Sequence, residues 1–132
     1  MPRLENEIAI AAPPEAVWAL VGDLEATTEW IPGVVEARVE GNRRVCRTAD
    51  GHEIHEEVVG SDVDRTVTYR QTQVPLPIAD SRGSLRVVPA ADGARVEWTA
   101  EFDAPDDVAA MVDEYYKQTL EMLRQRVESG SG

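Results

Sequence analysis

The chain has 132 residues, of which 42% are hydrophobic and 29% are charged, as is typical of a single globular domain. A chain of this size buries about two-thirds of the surface that it exposes when unfolded, so it can form a core without disulfides or metals. The 25 acidic residues outnumber the 13 basic ones, which gives a net charge of -12. Such a surface repels nucleic-acid phosphates and anionic lipid, so we expect no nucleic-acid partner.

The sequence also indicates where the protein resides. Its longest unbroken apolar run, residues 16–21, falls far short of the roughly 18 residues that a membrane span needs. The N-terminal residues are charged and contain no apolar block of the signal-peptide type. The single cysteine, Cys46, cannot form an internal disulfide and suits a reducing compartment. We therefore expect no membrane span and a cytoplasmic location.

The N-terminal part of the chain predicts one strand and two short helices. Residues 4–10 alternate between apolar and polar side chains, which is a strand pattern. The pair Pro13-Pro14 opens a helix, because proline is accepted in a first helical turn. This helix ends at Gly22, and a second short helix is predicted for residues 24–30.

The middle of the chain predicts a meander of strands separated by turns rich in glycine, asparagine and aspartate. The predicted strands cover residues 35–39, 43–48, 52–60, 66–73, 82–88 and 95–102. Together with the first strand they make seven.

A long amphipathic helix follows. Pro105 with Asp106 and Asp107 favours a helix start, because acidic side chains suit the positive end of the helix dipole. The apolar stripe is predicted at Val108, Met111, Val112, Tyr115, Thr119, Leu120, Met122, Leu123 and Val127. The stripe implies a helix of about 20 residues and about 30 Å. We expect one domain over residues 1–128, and a flexible tail at 129–132 that looks like a linker or a cloning remnant.

Several motifs resemble one family. Residues 10–23, IAAPPEAVWALVGD, closely resemble the opening of the START/Bet v 1-like (SRPBCC) superfamily in its bacterial polyketide cyclase/dehydrase and lipid-transport branch. Further matching motifs are Trp30-Ile31-Pro32-Gly33-Val34, Glu56 with Asp62, Tyr69-Arg70, and Arg95-Val96-Glu97-Trp98 with Phe102. The resemblance implies an α+β helix-grip fold, with a curved seven-stranded antiparallel sheet wrapped around the C-terminal helix. It does not imply one activity, because members include ligand carriers and aromatase/cyclases.

A sheet that wraps one helix leaves a concave space, which is a usual place for a small apolar ligand. Strand alternation and the helix stripe suggest which side chains face that space. The predicted ligand-binding residues are Trp30, Val35, Ile54, Gln71, Leu85, Trp98, Val112, Tyr115 and Thr119. We expect Trp30 either at the entrance or packed in the core.

Glu56 and Tyr69 are the candidate catalytic residues. Glu56 shares a strand face with Ile54 and Val58, and a cavity carboxyl can act as a general acid or base. A Tyr69 hydroxyl that donates to a developing enolate would suit dehydration or aldol-type cyclisation of a carbonyl compound. Two alternatives stay open. Glu56 pairs with an arginine such as Arg47 or Arg82, or a bulge reverses the strand faces and leaves Glu56 on the surface.

The sequence gives no sign of a cofactor or a metal site. His52 and His55 are three apart, which puts them on opposite faces of a strand. No phosphate-binding glycine loop, nucleophile elbow or dinucleotide fingerprint is present.

Three functions follow from these observations. The first is binding of a small hydrophobic molecule of the polyketide, lipid or isoprenoid type. The second is a polyketide cyclase/dehydratase-type enzyme, and the third is a protein-interaction module with a vestigial cavity. Whether the chain is an enzyme stays open, and either a monomer or a homodimer is expected.

Overall fold

The computed structural model describes residues 3–130, which form seven strands and three helices in the predicted order. The elements are β1 (Arg3–Ile10), α1 (Pro14–Val21), α2 (Thr27–Trp30), β2 (Val34–Glu40), β3 (Arg43–Thr48), β4 (Glu53–Ser61), β5 (Thr66–Gln73), β6 (Ala79–Ala90), β7 (Gly93–Asp103) and α3 (Asp106–Gly130).

All seven strands belong to one antiparallel sheet. Its strand order is β1-β7-β6-β5-β4-β3-β2, so the strands from β2 to β7 are a continuous meander. The first strand closes the order by pairing with β7. This sheet curves around α3, which confirms the predicted α+β helix-grip fold.

The core lies between the concave face of the sheet and α3. β7 alternates throughout its length, and its buried side chains are Ala94, Val96, Trp98, Ala100 and Phe102. The buried stripe of α3 consists of Ala109, Val112, Tyr116, Thr119, Leu120, Leu123 and Val127. Full burial of one large apolar side chain contributes about 1.5–3 kcal/mol, so this interface is a major source of stability.

The register of α3 differs from the prediction. Met111, Tyr115 and Met122, which were assigned to the buried stripe, are exposed. Tyr116 is buried instead of Tyr115. Successive helix residues are about 100° apart, so the buried face follows strict three- and four-residue spacing. The prediction counted apolar residues beside this face as part of it.

The strand face predicted for Val35 is wrong. The pairing of β2 with β3 shifts between Val34 and Glu36. Val34 is buried, whereas Val35 is 54% exposed. A bulge places two consecutive residues out of alternation, so Val35 does not face the core.

The outer face of α3 is charged, with ion pairs between Lys117 and Asp113 and between Arg124 and Glu121. Among the described residues, no helix has both the length and the apolar character that crossing a membrane requires.

α3 continues beyond the predicted domain boundary at 128. Residues 129 and 130 belong to α3, and Ser129 donates from Oγ to the carbonyl oxygen of Gln125 at 2.6 Å. Residues 131–132 lie outside the described residues.

Candidate functional site: a cavity between the sheet and the C-terminal helix

A cavity of about 80 Å³ lies between the sheet, α2 and α3. We call it the inner cavity. It is lined by Val21, Trp30, Ile31, Val34, Arg44, Cys46, Ile54, Glu56, Val67, Tyr69, Gln71, Leu85, Trp98, Tyr115 and Tyr116. Strand alternation explains this wall, because β3 to β7 each turn every second side chain towards α3. Most of the lining side chains are apolar or aromatic.

A larger pocket of about 300 Å³ adjoins the inner cavity. We call it the outer pocket. It is lined by Pro32, Thr48, Ile54, Gln71, Val74, Pro75, Leu76, Ile78, Ser81, Phe102, Met111, Val112, Tyr115 and Tyr116. Ile54, Gln71, Tyr115 and Tyr116 border both spaces. The two spaces therefore form neighbouring parts of one site, and the outer part has the volume of a small-molecule pocket.

Most of the side chains predicted to line the cavity do so. Trp30, Ile54, Glu56, Tyr69, Gln71, Leu85, Trp98 and Tyr115 line the inner cavity, and Val112 lines the outer pocket. Val35 lines neither space. Thr119 is also absent from both walls, because it is fully buried in α3 and its Oγ1 donates to the Tyr115 carbonyl oxygen at 2.7 Å. Trp30 lies at the inner cavity rather than at the entrance.

Glu56 faces the inner cavity and forms a buried ion pair with Arg44. The Arg44 Nε donates to Glu56 Oε1 at 2.9 Å, and the two side chains are 9% and 7% exposed. They are directly opposed on β3 and β4. Arg44 also donates from Nη1 to the Leu24 carbonyl oxygen at 3.3 Å. Each buried charge thus has a partner, as burial requires.

Glu56 pairs with an arginine, as one of the two alternatives predicted, but the arginine differs from the two that were named. The alternative that Glu56 pairs with an arginine named Arg47 or Arg82. Arg47 instead pairs with Glu36, and Arg82 pairs with Glu101, both at the surface.

A polar chain continues from the ion pair towards the outer pocket. Gln71 donates from Nε2 to Glu56 Oε2 at 3.4 Å. The buried Ser81 donates from Oγ to Gln71 Oε1 at 2.6 Å. Through these contacts a line of hydrogen-bonding side chains crosses both parts of the site.

Three aromatic side chains form a second polar cluster in the inner cavity. Trp98 donates from Nε1 to the Tyr69 hydroxyl oxygen at 2.9 Å, and that oxygen lies 3.3 Å from the Tyr116 hydroxyl oxygen. The Trp98 and Tyr116 rings stack with their centroids 3.9 Å apart. Burial raises the pKa of Tyr69 well above its usual range and also raises the pKa of Tyr116. Both hydroxyls therefore keep their protons at neutral pH and can donate hydrogen bonds.

Trp30 carries a polar atom without a partner. The side chain is 4% exposed. Its Nε1 is the one fully buried side-chain nitrogen or oxygen among residues 3–130 that has no hydrogen-bond partner. A buried donor without an acceptor costs about 1–3 kcal/mol, so this atom calls for an explanation.

Tyr115 borders both parts of the site and connects two elements there. Its hydroxyl donates to the Pro32 carbonyl oxygen at 2.7 Å, which fastens α3 to the turn between α2 and β2. Burial raises the pKa of Tyr115 to about 12.

The lining residues that the predicted set omits include the polar or aromatic side chains of Arg44, Cys46, Ser81 and Tyr116. Arg44 and Cys46 share the inward face of β3, and the turn near residue 50 sets Arg44 opposite Glu56. The position of that turn could therefore have predicted the Arg44–Glu56 ion pair from the sequence.

Burial raises the pKa of the Cys46 thiol, so the thiol stays protonated at neutral pH. Within residues 3–130, no three His, Cys, Asp or Glu side chains are grouped so as to hold a metal ion.

Solved structures of other proteins share this fold. A Thermobifida fusca protein solved by NMR has 30% sequence identity over 96% of this chain and 93% of its own, with a TM-score of 0.80. The protein XoxI from Bacillus cereus has 24% identity over 100% and 99% of the two chains, with a TM-score of 0.91. The Zhui aromatase/cyclase from Streptomyces sp. R1128 has 16% identity over 96% and 93%, with a TM-score of 0.79.

The family model described as polyketide cyclase / dehydrase and lipid transport matches residues 1–128. This match confirms the resemblance inferred from the motifs and spans all seven strands and nearly all of α3. The chain belongs to the polyketide cyclase/dehydrase and lipid transport family.

Proposed function

We propose that this protein binds a small hydrophobic molecule in the inner cavity and outer pocket. The observation that carries the proposal is that these two spaces adjoin each other, because they share four lining side chains and have mainly apolar walls. Enclosed apolar sites with a few polar groups are typical of small-molecule binding. A polyketide, lipid or isoprenoid type of ligand is consistent with such walls and with the description of the family. Cytoplasmic location and a monomeric or dimeric state stay predictions within this proposal.

The alternative of a protein-interaction module has less support. That function predicts a core filled by side chains and an exposed apolar patch in place of a cavity. Here the apolar side chains Leu76 and Met111 are exposed, but they line the outer pocket. They accordingly fit the wall of a ligand site.

A matched pair of strand variants tests ligand binding. Ile54→Trp adds bulk where the two spaces meet, whereas Val59→Trp adds the same bulk to the same strand at an exposed position. The neutral apolar probe N-phenyl-1-naphthylamine is titrated into each protein, and its fluorescence gives the Kd.

We expect micromolar binding to the unmodified protein and to Val59→Trp, and at least about tenfold weaker binding to Ile54→Trp, which corresponds to about 1.4 kcal/mol. Circular dichroism verifies that both variants are folded. Equal affinities for all three proteins would place the probe outside the cavity and contradict the proposal.

A second candidate function is dehydration or aldol-type cyclisation of a carbonyl compound. It is supported by Glu56, which borders the same inner cavity as the hydroxyls of Tyr69 and Tyr116. In this function the Glu56 carboxylate takes a proton from the carbon beside a carbonyl, which gives an enolate. In dehydration the carbon–oxygen bond at the β carbon then breaks, and the hydroxyl takes this proton from Glu56 and leaves as water. In aldol cyclisation the enolate carbon bonds to a second carbonyl carbon, and the oxygen of that carbonyl takes the proton from Glu56. A tyrosine hydroxyl stabilises the enolate oxygen by donating to it.

The two functions differ in their response to Glu56→Gln. The probe 4-hydroxy-4-phenylbutan-2-one loses water to give an enone that absorbs in the ultraviolet. An enzyme dehydrates it and loses about 10²–10⁴-fold in rate in the variant, whereas a binding protein shows no rate above buffer. Probe affinity is measured on the same samples, because a variant that has lost its fold would lose both properties.

A further inference from the structure

The strand β2 forms one edge of the sheet and has one side without a partner. It is the last strand in the sheet order and pairs only with β3. No other backbone hydrogen bond joins residues 35–40 to the rest of the described chain, residues 3–130. Such an edge presents backbone N–H and C=O groups that can pair with a further strand. The free side of β2 can therefore accept a strand from another chain.

The side chains of β2 complement one another when two copies of the strand pair antiparallel. With a two-fold axis through Ala37, Glu36 lies opposite Arg38 of the second copy, and Val35 lies opposite Val39 of the second copy. This register pairs the whole length of the strand. Opposite charges and β-branched side chains are favourable cross-strand neighbours. Moving the axis by one residue sets Glu36 or Arg38 against itself, so charge selects a single register.

The groups that this pairing needs are accessible on the isolated chain. The side chains of Glu36 and Arg38 are 48% and 69% exposed, and Val35 is 54% exposed. Arg47 donates to one Glu36 oxygen. The other oxygen lies 3.9 Å from the Arg38 Nε, which is too far for a hydrogen bond. Glu36 and Arg38 thus retain hydrogen-bonding capacity for a second copy.

The opposite edge of the sheet, β1, does not have this property. The outward side chains of β1 include Arg3, Glu5 and Glu7. The antiparallel registers that pair nearly the whole strand with a second copy set Glu5 opposite Glu7, or Glu7 opposite itself. Like charges directly opposite each other destabilise a strand pair. The charge pattern therefore favours β2 over β1 as the edge that joins two copies.

We propose that this protein forms a two-fold symmetric homodimer in which the two β2 strands pair and join the sheets edge to edge. In such an isologous interface the contact between Glu36 and Arg38 of the second copy occurs twice. The net charge of -12 on each chain opposes other contacts between copies. Residues 35–40 line neither the inner cavity nor the outer pocket, so the dimer is independent of the proposed ligand binding.

Two charge-reversal variants test the dimer and its register. Glu36→Arg and Arg38→Glu each turn both attractive contacts of the homodimer into repulsive ones. When the two variants are mixed, however, every pair is again attractive, because Arg at 36 meets Glu at 38 and Arg38 meets Glu36. Sedimentation equilibrium at up to about 1 mM chain measures the dimer Kd of each protein and of the equimolar mixture.

We expect a reversible dimer for the unmodified protein and at least about tenfold weaker association for each variant alone. The mixture should recover the affinity of the unmodified protein. Circular dichroism verifies that each variant is folded, and the recovery in the mixture would not occur if a variant had lost its fold. Glu5→Arg is the control, because it makes the same change of charge as Glu36→Arg at the other edge of the sheet and should not weaken the dimer.

Three outcomes would overturn the proposal. A monomer at every concentration would show that the free edge of β2 does not join two copies. A dimer that neither variant weakens, or that Glu5→Arg weakens equally, would place the interface elsewhere. Two weakened variants whose mixture does not recover would contradict the register through Ala37.

Discussion

Gly83 lies directly opposite Tyr69 on the β5–β6 pair, and a Cβ atom added at Gly83 would stand 2.5 Å from the Tyr69 hydroxyl oxygen. The same atom would be 2.7 Å from the Thr99 carbonyl oxygen on the neighbouring strand. The absence of a side chain at Gly83 therefore allows the tyrosine ring to lie across the sheet and reach Trp98.

The first prediction follows from this contact. Gly83→Ala should lower the free energy of unfolding by about 1–3 kcal/mol, as overpacking does, because the Thr99 backbone cannot rotate away. Gly60→Ala is the control, since nothing lies within 4 Å of its added Cβ, and it should change stability by less than about 0.5 kcal/mol. Urea unfolding measures both. Equal effects would mean that the close contact at Gly83 is not what limits substitution.

The second prediction concerns the direction of the hydrogen bonds in the aromatic cluster. Tyr69→Phe leaves the buried Trp98 N–H without its acceptor, which should cost about 1–3 kcal/mol. Tyr116→Phe leaves the Trp98–Tyr69 bond in place and should cost about 0.5–1.5 kcal/mol. Chemical denaturation of the two variants gives the order. A larger loss in Tyr116→Phe would contradict the hydrogen-bond arrangement described here.

The third prediction compares two cross-strand pairs of the same chemistry. The Arg44–Glu56 and Arg47–Glu36 contacts are both 2.9 Å long, but Glu56 is 7% exposed and Glu36 is 48% exposed. Glu56→Gln should cost about 3–5 kcal/mol, because it leaves a buried guanidinium without a counter-charge. Glu36→Gln should cost about 0–1 kcal/mol, as surface pairs do.

The comparison is made by urea unfolding at low and high salt. The loss in Glu36→Gln should shrink at high salt, because exposed pairs are screened. Similar losses in the two variants would show that burial does not set the contribution of the Glu56 pair.

Much of this structure follows from local patterns in the sequence. Alternation and turn residues predicted the seven strands and the meander from β2 to β7, because neighbouring strands that are joined by short turns pair with each other. They did not predict that β1 pairs with β7. β7 is the clearest case, since each of its inward residues is apolar and its alternation has no bulge. Glu56 was assigned to the inward face for the same reason, and it lies there.

The errors arise where a three-dimensional detail overrides the pattern. Val34 and Val35 are both valine, so composition cannot reveal that a bulge exposes the second. Tyr115 and Tyr116 are likewise adjacent and identical, and only the packing of α3 on the sheet decides which ring stacks on Trp98. The inward Arg44 breaks the apolar pattern of its own strand, and its partner on the next strand is what makes burial of its charge tolerable.

The last prediction is a loss of stability at alkaline pH. The chain has three tyrosines, and burial raises the pKa of Tyr69, Tyr115 and Tyr116, that of Tyr115 to about 12. In the unfolded chain they titrate near pH 10. Above that pH the unfolded state binds fewer protons than the folded state, so the free energy of unfolding falls as pH rises.

The contribution of the tyrosines should be fully present below about pH 10 and decline from there towards pH 12. Urea unfolding at pH 8, 9.5 and 10.5 measures the decline, and Tyr115→Phe should make it shallower. Absorbance at 295 nm gives an independent reading, because the folded protein at pH 10 should show far less tyrosinate than the same protein in urea. Half-titration of the folded protein at pH 10 would show that solvent reaches the hydroxyls of Tyr69 and Tyr116 and would contradict the burial of these two side chains between the sheet and α3.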